Sequence, residues 1–460
     1  MEEQQGLRKF STTQLLNFCL GFFGLQFAWQ MRIILSGPVT ESLGASPLLF
    51  GLIWLAGPVS GMIVQPIIGA FSDKTETPFG RRRPYLLLGA LFASIALWIF
   101  PQSGAIAENL SNLLHINLPA WTGLFIAAIM IWVIDACVNA AQGPYRALIP
   151  DNICPEQHSI ANSYLSFAIG LGSVIAAGTA PFLNWAFGYQ MSIPAQFIMA
   201  ALAFSLAMIW TCITTNEIKL KKEENKTKEK QPTFIENLKE FFNASPDVFK
   251  ICAMQFFTWL GVMSLMIFFT QFAIHNIFGV PDTTSLSEAI KETYAQATIE
   301  ATNFASVGFA IFNLICFLVS IPIGILSSKF GNKVIHIGSL VIMALTFFGL
   351  AATTEKTNVM IFMAIAGIGW ASILALPFAM LSEHIKKGSE GAVMGIFNIF
   401  IAGPQVLVCT LMAWFINKCT IDVGNGLINH HWEYSFLIGG ILLLVSALTA
   451  LFIKENPKSC

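Results

Sequence analysis

Charged side chains are scarce in this sequence. Of its 460 residues only 11% are Asp, Glu, Lys or Arg, whereas 55% are hydrophobic; a soluble globular protein carries about 25% charged residues. The formal net charge is −1, so the chain lacks the basic excess that attracts nucleic-acid phosphates. These deficits exclude an ordinary soluble domain and predict that nucleic acid is not a partner.

The chain also lacks the residue spacings of a metal site or a disulfide framework. Its nine cysteines are scattered and mostly lie in apolar runs, without a Cys-x-x-Cys or Cys/His pattern. No nucleophile–base pair falls at one depth, as a membrane-embedded enzyme would need. The N-terminal MEEQQGLRKF has no small-residue cleavage site, so the first apolar run is expected to direct membrane insertion. We expect no enzyme activity, no metal and no cofactor.

Long apolar runs are abundant. A membrane-spanning helix needs about 20 mostly apolar residues, and the sequence predicts an all-α membrane protein with twelve such helices. The third is short and is expected to continue into its loop. The predicted spans are 12–36, 48–71, 85–101, 119–143, 160–184, 193–213, 248–275, 301–326, 334–352, 358–381, 391–416 and 433–453.

The basic residues indicate the orientation of these spans. Twenty of the 25 Lys and Arg residues fall in segments on the same side as the N-terminus, and only Lys291, Lys356 and Lys418 fall in loops on the other side. Since basic loops are retained in the cytosol, both termini are predicted to be cytoplasmic.

A polar stretch separates six spans from six. Residues 219–231, KLKKEENKTKEKQ, are too polar to pack, and residues 232–243 have an apolar helical face suited to the inner membrane surface. We therefore expect an N-terminal half at 1–213, a cytoplasmic linker at 214–247 with this surface helix, and a C-terminal half at 248–460. Transporters built from two repeated halves have this layout.

The fourth predicted span contains a carboxylate at bilayer depth. Asp135 lies in the apolar part of IWVIDACVNAAQGPYRALIPD, and Asn139 and Gln142 follow on the same helical face. A charge at this depth costs about 2.5–3.5 kcal/mol and usually has a partner or a function. This polar face predicts the wall of a solute cavity; a hydrogen-bonding stripe between helices is the alternative.

The loop after the second span combines glycines, a carboxylate and arginines. Gly69 and Asp73 are followed by GRRR at residues 80–83, a pattern that resembles the signature loop of the major facilitator superfamily. Asp73 is able to pair with Arg81 or Arg82, which would close the inner face in one state and open it in the other. A plain positive-inside loop is the alternative, but it leaves Asp73 and the glycines unexplained.

Five segments in order resemble plant sucrose transporters and their bacterial and animal relatives, in the glycoside–pentoside–hexuronide:cation symporter group. The resemblance implies two pseudo-symmetric six-helix halves with a cavity between them, and proton-coupled symport of a sugar or glycoside by alternating access. It covers nearly the whole chain. The segments are SGMIVQPIIGAFSDKTETPFGRRRP, WVIDACVNAAQGPYRALIPD, QFFTWLG, GWASILALPFAMLSEHI and GAVMGIFNIFIAGPQVL.

The resemblance also implies roles for individual residues, with Asp135 as the proton-coupling group. Polar side chains would bond sugar hydroxyls or pair helices, and tryptophans would stack on sugar or fill the core. The candidate substrate-binding residues are Gln26, Trp29, Arg32, Asn139, Gln142, Asn162, Gln255, Trp259, Trp370, Asn398 and Gln405. The candidate gating residues are Asp73, Arg81, Arg82, Arg83 and Arg146.

Arg32 departs from the plant relatives, which have Gln at this position. Its guanidinium would pair with Asp135, bind a carboxylate or phosphate of the substrate, or extend to the membrane surface. At a rise of about 1.5 Å per residue, Arg32 lies nearer the outer surface than Asp135, which argues against a direct pair. The alternative function is therefore transport of an anionic solute, an acidic sugar or organic acid, with Arg32 as the anion-binding residue.

The expected partners are the substrate, a proton and the lipid bilayer. We expect a monomer in a plasma membrane, and the short loops favour a bacterial inner membrane. The residues leave open the substrate, its charge, the direction of flux and the choice of proton or sodium.

Overall fold

The computed structural model describes residues 9–154, 157–215, 217, 246–282, 288–382, 384, 390–424 and 427–454. The predicted surface helix at 232–243 and nearly all of the predicted linker lie outside these residues.

Twelve helical segments of the described chain are long and apolar enough to cross a membrane, which confirms the predicted fold class. Each overlaps one predicted span. They are Thr12–Ser42, Pro47–Ser72, Arg83–Leu114, Thr122–Ile149, Ser163–Phe187, Ile193–Thr214, Pro246–Ile277, Lys291–Phe330, Asn332–Ala352, Lys356–Leu381, Phe397–Lys418 and Glu433–Leu451.

The first six spans are built from eight helices, because the second and third spans are each made of two. The helices are α1 (Thr12–Ser42), α2 (Pro47–Trp54), α3 (Ala56–Lys74), α4 (Arg83–Ile99), α5 (Ser103–Leu114), α6 (Thr122–Asn152), α7 (His158–Phe187) and α8 (Ile193–Thr214). A 3₁₀ turn, Phe100–Gln102, joins α4 to α5, so the third span does continue into its loop as predicted.

The last six spans contain seven α-helices and an antiparallel hairpin. The helices are α9 (Pro246–Phe272), α10 (Glu288–Phe330), α11 (Asn332–Ala352), α12 (Lys356–Ser382), α13 (Glu390–Leu407), α14 (Ala413–Lys418) and α15 (Glu433–Leu451). π-helical turns extend α9 through Ala273–Ile277 and join α13 to α14 through Val408–Met412. Strands β1 (Thr420–Gly424) and β2 (Leu427–His430) pair in the register Thr420 with His430.

Serine residues cap several helix starts. The Ser11 hydroxyl accepts the Gln14 backbone N–H while the Gln14 side chain accepts the Ser11 N–H, a reciprocal capping box. Ser46 and Ser192 cap α2 and α8 more simply, each hydroxyl accepting a backbone N–H of the first turn, and a proline lies in the same turn. Local sequence thus sets where these spans begin.

The chain divides into two compact units, and their boundaries differ from a single cut in the linker. One comprises residues 1–220 with 282–310, and the other comprises residues 221–281 with 311–460. In the first unit α1 packs on α7 and α8, and α6 packs on α3 and α4; in the second, α15 packs on α9 and α11. The predicted boundaries at 213 and 248 stay a prediction.

Glycine allows α1 to approach its neighbours closely. A Cβ on Gly24 would lie 2.5 Å from the Ala203 carbonyl oxygen of α8, and a Cβ on Gly172 of α7 would lie 2.5 Å from the Phe23 carbonyl oxygen. Small residues at such crossings let membrane helices pack backbone to backbone. This packing fixes the position of α1, which contains Arg32.

Candidate functional site

Arg32 of α1 and Asp135 of α6 form a buried ion pair. Arg32 Nη2 lies 2.5 Å from Asp135 Oδ2, and the two side chains are 2% and 4% exposed. Both charges have left water, so removing either partner leaves the other uncompensated, at a cost of about 3–5 kcal/mol.

This direct pair corrects the depth argument made from the sequence. Arg32 lies 20 residues after the start of α1, and Asp135 lies 17 residues before the end of α6, which gives axial distances of about 30 Å and about 25 Å. Helical side chains tilt toward the N-terminus of their own helix, and successive spans run in opposite directions. The two side chains therefore lean toward each other, and the long arginine side chain covers the remaining offset.

Trp54 and Gly57 of the second span surround the ion pair. The centre of the Arg32 guanidinium lies 4.3 Å from the centroid of the Trp54 ring, and the indole Nε1–H donates to Ser36 Oγ at 3.1 Å. A Cβ on Gly57 would lie 3.5 Å from Asp135 Oδ2 and 3.8 Å from Arg32 Nη2. The break between α2 and α3 at Leu55 thus lies beside the pair.

Asn139 connects the fourth span to the second. Its Nδ2 donates to Ser60 Oγ and to the Asp135 carbonyl oxygen, both at 2.9 Å, and a Cβ on Gly61 would lie 3.6 Å from its Oδ1. The structure therefore gives Asn139 the helix-pairing contact that was the alternative to hydroxyl recognition. It leaves Asn139 one helical turn from Asp135.

Three other candidates of the first unit lie on the same helices, α1 and α6. Trp29 and Gln26 precede Arg32 by three and six residues on α1, and both are half-buried. Gln142, seven residues after Asp135, is half-buried as well. The side chain of Asn162 lies outside the described part of the structure.

In the second unit, Gln255, Trp259 and Trp370 are grouped together. Gln255 and Trp259 lie one turn apart on α9, and the Trp259 and Trp370 ring centroids are 5.7 Å apart at 78°. Gln255 is fully buried, yet both atoms of its amide, like the Trp259 indole nitrogen, have no hydrogen-bond partner among the described residues. An unsatisfied buried polar group costs about 1–3 kcal/mol, a cost that a hydroxyl bonded to these groups would remove.

Two further candidates of the second unit have other surroundings. Asn398 of α13 is exposed, and Gln405 donates its amide N–H to the Ile401 carbonyl oxygen of its own helix at 3.1 Å. Neither has a described hydrogen bond to Gln255, Trp259 or Trp370. The α13 helix itself packs against α9, so its candidates lie on a neighbouring element.

The loop that contains Arg81, Arg82 and Arg83, the arginine loop, is held by Asp151, near the end of α6. Arg81 Nη2 lies 2.7 Å from Asp151 Oδ1 and Arg82 Nε lies 3.0 Å from Oδ2. Arg82, which is 4% exposed, also donates from Nη1 to Ser72 Oγ at 2.5 Å. The side chain of Asp73 lies outside the described residues, so its predicted pairing with Arg81 or Arg82 stays a prediction.

Glu217, just after α8, binds the backbone of the same loop. Its carboxylate accepts the backbone N–H groups of Arg81 at 2.8 Å, Arg82 at 3.1 Å and Arg83 at 2.8 Å. α4 begins at Arg83, and a helix N-terminus favours an anion through its unpaired N–H groups and dipole. Gly80 has φ +108°, and a Cβ there would lie 2.6 Å from the Glu217 carboxyl carbon.

Arg146 is the remaining gating candidate, and it lies elsewhere. Its guanidinium is 5.6 Å from the centroid of the Phe22 ring on α1. The sequence analysis missed Trp54, Asp151 and Glu217 as contacts of the charged residues. Asp151 and Glu217 were visible as carboxylates that follow spans four and six, on the same side of the predicted topology as the three arginines.

Comparison with known proteins agrees with this architecture. The family described as MFS/sugar transport protein matches residues 23–281, more than half of the chain, and the Major Facilitator Superfamily family matches residues 251–459. Sucrose transport protein SUT5 of Oryza sativa subsp. japonica is 25% identical over 476 residues, covering 94% of this chain and 86% of the relative.

Solved transporter structures share the fold. A mutant of the nucleoside transporter NupG has a TM-score of 0.69 at 15% identity, covering 96% of this chain and 99% of its own. A D-xylose-proton symporter has a TM-score of 0.63 at 16% identity, covering 97% and 98%. These similarities confirm the resemblance that the sequence motifs predicted. The chain is a multi-pass membrane transporter that belongs to the major facilitator superfamily, in its MFS/sugar transport protein family.

Proposed function

We propose that this transporter couples the movement of a neutral sugar or glycoside to that of a proton, by alternating access. The proposal rests on the Arg32–Asp135 pair, a carboxylate and a guanidinium 2.5 Å apart inside a membrane-spanning unit. It is supported by relatives named sucrose transport proteins and by a fold shared with a D-xylose-proton symporter.

The ion pair provides a way to make sugar binding depend on the proton. While Asp135 is ionised, its carboxylate holds Arg32 through Nη2 and keeps the guanidinium away from the sugar. Protonation removes the negative charge, so the guanidinium is released and able to donate to sugar hydroxyls. When the proton leaves on the other side, the pair forms again and displaces the sugar.

The remaining polar and aromatic candidates are proposed to recognise the sugar. In the first unit, Asn139 and Gln142 lie on the Asp135 face of α6. In the second, the Gln255 amide and the Trp259 indole N–H have no described partner, and the half-buried Trp259 ring is proposed to stack on the sugar. Trp370, whose ring is stacked on Phe312, is proposed to support Trp259. Gln26, Trp29, Asn162, Asn398 and Gln405 remain candidates on sequence grounds.

The arginine loop is proposed to close the inner side. The bonds of Arg81 and Arg82 to Asp151 and of Glu217 to the loop backbone stabilise one conformation, and Asp73 is proposed to add to them. These bonds would break when the carrier opens inward. Arg83 and Arg146 are proposed to contribute to the same transition.

The expected setting follows from charge and loop length. With twenty of 25 basic residues in one set of loops, both termini are proposed to lie in the cytoplasm. We place the carrier in a plasma membrane as a monomer in contact with lipid, and its short loops favour a bacterial inner membrane.

A second candidate function is transport of an anionic sugar or organic acid. It is favoured by one observation: Arg32 Nε is buried and lacks a hydrogen-bond partner in the described structure. Such a group would suit a substrate carboxylate, which binds guanidinium through two parallel bonds.

Reconstitution in liposomes tests the function. Purified protein is given an inward proton gradient, an inward sodium gradient or neither, and uptake of radiolabelled disaccharides, glycosides, uronates and carboxylates is followed. We expect accumulation of a neutral sugar only with the proton gradient, abolished by a protonophore. Accumulation driven by sodium, or of the acids alone, would reject this assignment.

A further inference from the structure

Trp54 lies where the second span is interrupted. α2 ends at Trp54 and α3 begins at Ala56, so the short α2 presents its last side chain to α1. The indole is 3% exposed although tryptophan is large and carries an N–H group that needs a partner when buried. That partner is Ser36 Oγ, at 3.1 Å, one turn after Arg32 on α1.

Two contacts fix the Trp54 indole, and its ring face lies against the Arg32 guanidinium. Phe50 packs against it edge-on, with ring centroids 5.9 Å apart, and Ser36 holds its nitrogen. Its π face then lies 4.3 Å from the carbon of the Arg32 guanidinium. A cation over a tryptophan face is attracted by the ring, most strongly when both are removed from water.

We infer that Trp54 is a positioning residue that holds Arg32 on Asp135 until the carboxylate takes up its proton. The inference rests on the proposed proton coupling and adds a residue to it. With the indole in place, the guanidinium leaves Asp135 only when the carboxylate loses its charge. Without it, Arg32 would move to the sugar while Asp135 is still ionised, and sugar would cross without a proton.

Other charges lie far from this contact along the spans. On the elements packed against α6, they fall toward the ends of the spans. The described members are Glu41 of α1, Lys74 of α3, Arg83 of α4, Glu108 of α5, and Arg146 and Asp151 of α6 itself. Replacing Trp54 therefore alters the surroundings of the ion pair without adding or removing a charge.

A purely structural tryptophan would behave differently. If Trp54 only fills space, its loss lowers the amount of folded carrier and reduces every transport mode alike. If it positions Arg32, its loss reduces coupling specifically, and an aromatic replacement restores part of it. The steady-state accumulation ratio separates these cases, because it depends on coupling and leak rather than on the number of working carriers.

The test compares Trp54→Leu and Trp54→Phe with the parent in liposomes. Accumulation of the transported sugar under an imposed proton gradient is measured beside counterflow exchange, which needs no net proton movement. We expect Trp54→Leu to keep exchange and lose about tenfold in accumulation ratio, a factor between those of an exposed and a fully desolvated cation–π contact. Trp54→Phe, which keeps a ring face but loses the N–H, is expected to lie between Trp54→Leu and the parent.

Trp132→Leu is the matched control. Trp132 lies on α6 one turn before Asp135 and is 40% exposed on an apolar surface with Phe125 and Ile129, so its accumulation ratio should equal that of the parent. A parental ratio in Trp54→Leu, equal losses in Trp54→Leu and Trp54→Phe, or a parallel fall of exchange and accumulation would overturn the inference. A parent that accumulates no sugar with a proton gradient would instead reject the proposed function and this inference with it.

Discussion

Arg32 and Asp135 meet through side chains that lean toward each other from antiparallel helices, closing an Nη2–Oδ2 distance of 2.5 Å. The contact joins the first and fourth spans inside one compact unit. Of the three roles that the sequence allowed for Arg32, the structure shows the pair with Asp135, in which both charges are buried.

Asp135→Asn is expected to uncouple transport from the proton. The amide is nearly the same size as the carboxylate but takes up no proton, so sugar binding and exchange persist while accumulation in response to a pH difference is lost. Counterflow and pH-driven uptake in the same liposomes provide the measurement. A mutant that still concentrates sugar under an imposed pH gradient would show that another group couples the proton.

Neutralising both members of the ion pair should harm the protein less than the two single changes predict. Arg32→Gln or Asp135→Asn alone leaves one buried charge unpaired, at a cost of about 3–5 kcal/mol, whereas the double variant leaves none. The thermal unfolding of the three variants and the parent in detergent gives the coupling between the sites. Strictly additive losses of stability would mean that the Arg32–Asp135 ion pair does not stabilise the protein in detergent.

The spans and the polar face of α6 were predictable because they depend on local sequence. Hydropathy alone located all twelve spans of the described chain, and the spacing of Asp135, Asn139 and Gln142 placed them on one side of one helix. These features follow from helix geometry and from the free-energy cost of polar groups in lipid.

The contacts of the charged residues were not predictable in this way. Residue counts along the helices set the depth of the Arg32 backbone but ignored the direction and reach of its side chain, so the pair with Asp135 was argued against. The Trp54 contact depends on a helix break that hydropathy does not show. Glu217 reaches the arginine loop over more than 130 positions of sequence, a tertiary contact with no local signal.

The substrate classes are separated by Arg32→Gln, which introduces the residue of the plant relatives. If the substrate is acidic, this change removes the partner of its carboxylate and should weaken binding of the acid strongly, with little effect on a neutral analogue. We expect the neutral sugar to bind the parent. Competition binding of matched neutral and acidic sugars to both proteins is the measurement, and tight binding of the acid to the parent alone would reverse the assignment.

Asp151→Asn should favour the inward-open state. The change removes the charge that holds Arg81 and Arg82, so the inner side opens more easily, and Asp73→Asn is expected to act in the same direction. Labelling of single cysteines placed on the inner half of α6 should become faster from the cytosolic side. Lys74→Gln, at an exposed position at the end of α3, is the control for loss of a charge; equal labelling in Asp151→Asn and the parent would contradict the gating role.

Gln255→Met is expected to stabilise the protein while weakening sugar binding. Both amide atoms of Gln255 are buried without a described partner. A methionine of similar shape removes these two polar atoms, so the free energy of unfolding should rise by about 1–3 kcal/mol. The same change deletes the groups proposed to meet sugar hydroxyls, so the dissociation constant for sugar should rise. Gln196→Met is the matched control, since this glutamine is also buried but donates to the Met191 carbonyl oxygen at 3.1 Å and should lose stability when replaced. Thermal unfolding with and without sugar measures both the stability and the sugar binding of each variant. A Gln255→Met protein that is less stable than the parent but binds sugar equally well would show that Gln255 stabilises the fold and does not bind sugar.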